Sequence, residues 1–189
     1  MASSATLPKD VVEQIASQIG ERLTGAAQQA LSQSKGLTVA EAFPVWTLGL
    51  DATASADGQL SSLANATGYW HHQIRHGDDA IEYAKSRPLG PSSADWRLEE
   101  IVTSPIAKGI DDALKWIEAN VRGDGEVRLL VVPAYFVHAL WLLIDASDSI
   151  VIADMPRNGY GLQYNRLYAA SEFVKILANS KYVTGLPQR

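Results

Sequence analysis

Residues 126–154 read EVRLLVVPAYFVHALWLLIDASDSIVIAD. Whether this stretch is helix or strand decides the fold. Periodicity alone does not separate the two, because a continuous apolar run suits a buried helix as well as a buried strand. Composition and punctuation favour strands. Val, Ile, Phe, Tyr and Trp fill a pleated, half-buried surface well. Pro133 removes a backbone donor after "EVRLLVV", and "ASDS" (146–149) is turn chemistry. The stretch therefore reads as three strands: one before Pro133, one within 134–144 and one at 150–154. Links this short imply antiparallel neighbours, since a parallel crossover needs about a dozen residues or more.

A helix precedes this region. Ser104 suits an N-cap and Pro105 the first helical position. Ile106, Ile110, Ala113, Leu114, Ile117 and Val121 form one apolar stripe, with Trp116 at its margin and Lys108, Asp111, Lys115 and Glu118 facing away. Gly123-Asp124-Gly125 ends it. After the strands comes a loop, MPRNGYGLQYNRLY (155–168), and then a helix from Ser171 to Asn179. The class is α+β: an antiparallel sheet packed on one face by helix 105–122. Trp116 and Trp141 are expected between that helix and the sheet.

The chain starts differently. Val11, Val12, Ile15, Ile19, Leu23, Ala26, Ala27, Ala30 and Leu31 recur at helical spacing over 9–34, after Pro8 and before Gly36, with Gly20 and Gly25 as interruptions. So narrow and alanine-rich a stripe needs a neighbour for stability. The helix either folds back on its own domain or serves as a docking arm. The arm reading divides the chain into an N-terminal helical arm, 1–36, and a single α+β domain, 37–189. Residues 37–50 are apolar and β-branched, and 51–68 read as a small polar loop with one short helical turn.

The most chemically loaded stretch is YWHHQIRHGDD (69–79). As a strand it places Trp70, His72, Ile74 and His76 on one face and Tyr69, His71, Gln73 and Arg75 on the other. Gly77, Asp78 and Asp79 then form a turn. On that geometry His72 and His76 stand roughly 13 Å apart and share no ion. As a helix, the same pair would chelate well. The strand reading predicts no metal and no cofactor, with the histidines at the mouth of a hairpin, solvated or hydrogen-bonded. His138 reads as a core histidine. An acid–base pair of His72 or His76 with Asp78 or Asp79 would lack a nucleophile and an oxyanion donor.

Composition narrows the function. The chain has 189 residues, 47% apolar and 20% charged, which is ordinary for a folded protein. Its net charge is −5 and its 16 basic residues form no run, which argues against nucleic acid as a partner. Without cysteine there is no disulfide, thiol nucleophile or Cys-ligated metal. The N-terminus lacks the pattern of a secretory signal, and 129–144 is too short and too interrupted to span a bilayer. The chain reads as soluble and cytoplasmic. Phosphate-binding glycine loops, the G-x-S-x-G elbow and H-E-x-x-H are absent.

Arg157, Tyr160, Tyr164 and Arg166 stand out in the 155–168 loop, because Tyr and Arg dominate binding hot spots. The first functional reading is a non-enzymatic protein-binding or assembly module, acting through the N-terminal helix and this aromatic loop on a protein partner or another copy of the chain. The alternative is a small metal-dependent or acid–base hydrolase built on the His71–Asp79 cluster. A weaker alternative is a small-ligand carrier with Trp70, Trp116 and Trp141 lining its pocket.

Overall fold

A computed structural model of the chain describes residues 2–4, 7–23, 37–49, 60–90, 96–145 and 147–180. Its strands are β1 Ala2–Ser4, β2 Leu37–Leu48, β3 Ala64–His76, β4 Asp79–Pro88, β5 Trp96–Thr103, β6 Gly125–Val132, β7 Val137–Ile144, β8 Ser147–Asp154 and β9 Leu167–Ala169. The helices are α1 Lys9–Leu23, α2 Leu60–Leu63, α3 Pro105–Asn120 and α4 Ala170–Asn179. None of the described helices is long and apolar enough to cross a membrane. The predicted helix beyond Leu23 and the loop at 51–59 lie outside the described residues.

All the strands join one sheet in the order β5-β4-β3-β2-β6-β7-β8-β9, with β1 also on β6. The 126–154 region forms three strands as predicted, with Pro133–Tyr135 a single 3-10 turn between β6 and β7, but Ser147–Ser149, read as a turn, already pair with β7 as the start of β8. The sheet is mostly antiparallel, but β2 and β1 both run parallel to β6. These pairs escaped the short-link argument because their connections pass through many intervening residues. β7 occupies one side of β6 along its whole length, so β1 and β2 share the other side end to end. The first residues of β3, which sequence reading left in a loop, are strand, and so is β5, to which it assigned no element.

Helix α3 starts as its sequence predicts. The Ser104 side chain accepts from Ile106 N–H at 3.3 Å and Pro105 follows. The helix ends at Asn120, and Val121 is already extended. It packs on both β4 and β8, which have four strands between them. In a flat sheet those two strands would lie about 24 Å apart, twice the width of a helix. The sheet therefore curls, with α3 in its concave face. Phe43, Val127, Leu140, Leu142 and Val151 meet Ile110, Ala113 and Ile117 there. Arg75 on β3 pairs with the buried Asp111 at 2.8 Å, and Lys115 pairs with the same carboxylate at 2.7 Å.

The sheet is covered on both faces, which corrects the single-face expectation. On the convex face, Leu7, Val11, Ile15 and Ile19 of the N-terminal segment bury Ala42, Ile74, Ala84 and Leu98. At the other end of that face, α4 contributes Phe173, Val174 and Leu177 to a core with Leu130, Trp141, Ile150, Ile152 and Tyr168. Trp141 thus faces away from α3, while Trp116 is half-buried on the α3 side and Trp70 packs near α1. The three tryptophans belong to three separate clusters and line no common pocket. Residue parity explains the split: Trp141 and Leu140 are neighbours on one strand, so they point to opposite faces.

Gly109 sets how closely α3 approaches the sheet. A Cβ placed there would sit 2.1 Å from the Ala153 carbonyl oxygen. Gly109→Ala should therefore destabilise the protein by about 1–3 kcal/mol through overpacking, outweighing the gain of up to about 1 kcal/mol in helix propensity. Urea midpoints decide it. A stabilised variant would mean that α3 sits further from β8.

Candidate functional site

The 69–79 stretch is a strand and a turn. β3 ends at His76, Gly77 has φ +68°, and Asp79 already pairs with His76 as the first residue of β4. The alternation places His71 and Gln73 toward α3 and His72 and Ile74 toward α1. The expectation of histidines at a hairpin mouth holds only for the half-buried His76, which lies 3.5 Å from Glu82. His71 and His72 are buried in the middle of the sheet. The error arose because β2 and the two helices that enclose β3, α1 and α3, come from distant parts of the chain.

On the convex face, His72 Nε2 lies 2.6 Å from Ser86 Oγ. Both side chains are fully buried beneath α1, and His72 Nδ1 has no hydrogen-bond partner. Burial lowers the His72 pKa to about 4. This Ser–His pair is sealed from solvent, so no substrate reaches it in this conformation. Among the described residues, no three His, Asp or Glu side chains are placed to hold a metal ion.

On the concave face, α3 covers only part of the sheet. Its first turn meets β3 at Gln73, whose Nε2 donates to the Ala107 carbonyl at 2.8 Å. Beyond that point the sheet is open, and a cleft of about 560 Å³ remains. One wall is aliphatic: Val45 of β2 and Leu129 and Val131 of β6, with Ile106 of α3 beside them. The other wall carries Tyr69, Tyr83, Lys85, Glu99 and Glu100 from β3, β4 and β5. Thr47, Thr67 and His138 complete the lining.

His71 forms the floor. Its ring stacks on Tyr83, with centroids 4.6 Å apart and planes at 25°. Its Nε2 lies 2.8 Å from Gln73 Oε1. Because the Gln73 amide nitrogen is committed to Ala107, the oxygen faces the ring, so His71 Nε2 carries the proton. Burial pushes the His71 pKa down to about 3, against the opposing hydrogen bond that His71 donates to Gln73 and with smaller electrostatic contributions from His72, His138 and Lys85. His71 is thus a neutral ring held in one tautomer.

The charges on the walls are paired. Burial works to lower the Lys85 pKa, but the hydrogen bond to Glu100, 2.6 Å from Nζ, together with Tyr83 and the Glu100 charge raises it overall. Arg97 and Arg87 hold the Glu99 carboxyl below its usual value through hydrogen bonds of 3.0 and 2.7 Å. His138 Nδ1 stands 3.7 Å from Asp154, on the pair of strands next to the aliphatic wall. The cleft can stack a flat group, bury a hydrocarbon and offer paired charges to a polar end. Among the described residues that line it, none is an activated nucleophile.

The residues singled out in the 155–168 loop do not converge. Tyr160 packs edge-on against Tyr135, with ring centroids 5.2 Å apart. The Tyr164 hydroxyl accepts from Met155 N–H at 3.2 Å and donates to the Met155 carbonyl at 3.4 Å. Arg166 pairs with Glu172 of α4 at 2.7 Å and lies over the Tyr168 ring. Arg157 is exposed. These contacts tie the loop to its own start at Met155, to the turn between β6 and β7 and to α4.

Sequence reading missed most of the cleft. The signal that existed was alternation: Tyr69 and His71 on β3, and Tyr83 and Lys85 on β4, put aromatic and polar groups on the face that a helix was expected to cover. Comparison of the chain with family models, curated proteins and solved structures yields no match, so the cleft must be interpreted from its own geometry.

Proposed function

We propose that this protein binds a small amphipathic molecule in the concave cleft. This is the carrier reading, with its pocket moved from the three tryptophans to the uncovered half of the sheet. One observation carries it: α3 leaves a cleft of about 560 Å³ with one aliphatic wall and one aromatic, charge-paired wall. That size falls within the range of small-molecule pockets, which are mainly apolar with a few placed polar groups. A ligand ring or chain would lie against Val45, Leu129 and Val131, and its polar end would meet Lys85 and Glu100. The neutral His71 floor adds aromatic surface without adding charge.

The assembly reading draws on α1 and the 155–168 loop, and both are engaged within the chain. The hydrolase reading draws on the 71–79 cluster, whose histidines are divided between two faces. Neither has an observation as direct as the cleft.

The test uses the dye 1-anilinonaphthalene-8-sulfonate, an amphipathic anion with fused rings. Saturable binding of one dye per chain is expected. Val131→Trp, which fills the cleft from its aliphatic wall, should weaken that binding at least tenfold while leaving the thermal midpoint within a few degrees. Equal dye binding by a folded Val131→Trp variant would place the dye elsewhere and remove the support for this reading. Mass spectrometry of the natively purified protein would identify a retained ligand.

A further inference from the structure

Among the described residues β5 is the terminal strand of the sheet, and side chains of α1 cover its outer edge. Gln18 Nε2 donates to the Trp96 carbonyl at 3.3 Å, and its Oε1 accepts from Leu98 N–H at 2.8 Å. Arg22 donates to the Leu98 carbonyl at 2.8 Å and the Glu99 carbonyl at 2.9 Å. The Gln18 amide thus supplies the donor and acceptor that an antiparallel neighbour would supply. Spacing makes this possible. Val11, Ile15 and Ile19 form the buried stripe of α1, and Gln18 and Arg22 follow Ile15 and Ile19 by three residues, so they lie beside it. One stripe covers the sheet face while the adjacent stripe hooks over the edge.

An eight-residue edge strand with open backbone groups is a template for another chain. The other end of the sheet offers far less, because β9 has three residues and runs straight into α4. We infer that α1 is an edge cap whose Gln18 and Arg22 keep β5 from pairing, antiparallel and two-fold, with β5 of a second copy of this chain.

The second copy is the occupant because the edge is self-complementary. A two-fold interface joins a patch to itself. With the axis at Leu98, Arg97 of each copy stands opposite Glu99 of the other on the same sheet face. These two residues now pair within one chain at 3.0 Å. Opposite charges across strands stabilise pairing, and like charges oppose it. The cap therefore holds back an association that the strand's own charges favour.

The test is the solution mass of the full chain by light scattering across a hundredfold range of concentration. Gln18→Ala/Arg22→Ala should show a twofold rise in mass relative to the wild type as concentration increases. Adding Arg97→Glu should abolish that rise, and adding Arg97→Glu with Glu99→Arg should restore it. A cooperatively folded double variant with wild-type mass throughout overturns the inference, and so does a rise in mass that ignores the charge changes. If the double variant does not fold, Arg22→Ala alone, at an exposed residue, takes its place, with the same rise at higher concentration expected and an unchanged mass overturning the inference.

Discussion

Lowering the pH from 6.5 to 5 is expected to remove roughly 3 kcal/mol of folding stability, through His71 and His72. Their folded-state pKa values are about 3 and about 4, against 6.5 for an ordinary histidine. In this window the two histidines of the unfolded chain go from about half to almost fully protonated while those of the folded chain stay neutral, so stability falls as pH falls. The contribution is complete above about pH 6.5 and is lost as pH approaches the folded values. The full loss would be roughly 5 kcal/mol for His71 and 3 kcal/mol for His72, at about 1.4 kcal/mol per pKa unit. This is a large share of the 5–15 kcal/mol typical of a domain. Urea unfolding at a series of pH values measures the slope, which near pH 5 should be roughly 2–3 kcal/mol per pH unit for nearly two protons. His72→Gln, which removes one titrating group, should halve it. A flat wild-type profile in this range would show that the two histidines are not buried as neutral rings.

Trp141→Ala should cost about 3–5 kcal/mol, as large core truncations do, whereas Trp116→Ala should cost far less. Trp141 is fully buried, meets Trp46 edge-on at 5.4 Å and donates from Nε1 to Asp148 at 3.2 Å. Arg128 lies 4.7 Å from its ring and 4.5 Å from that of Trp46, while binding Glu126 through two nitrogens. Truncation removes the ring from this stack and leaves a cavity beside α4. Trp116 is half-buried at the margin of α3 and makes no such stack. Comparison of the two urea midpoints checks the face assignment. Equal costs would return both side chains to the same side of the sheet.

Much of this architecture is legible in the sequence because much of it is local. Ser104 and Pro105 start α3 through the hydrogen bond and backbone angle that any chain would use there. Gly77 ends β3 because it accepts a positive φ. Pro133 breaks β6 from β7, and the alternation in 69–76 separates Tyr69 and His71 from Trp70 and His72 before any fold is known. Each of these features depends on a few neighbouring residues. The tertiary structure decided what lies opposite them. The parallel pairing of β2 with β6 joins residues more than 80 positions apart, and no turn signal records it. The second covered face depends on α1 returning over Ala42, Ile74, Ala84 and Leu98. The desolvation of His71 and His72 depends on that return and on α3. The cleft takes its lining from six strands and one helix turn, and it exists because the sheet curls around a helix too short to cover it. Local chemistry chose the elements, whereas burial, charge state and cavity are properties of surfaces that meet only after long-range pairing.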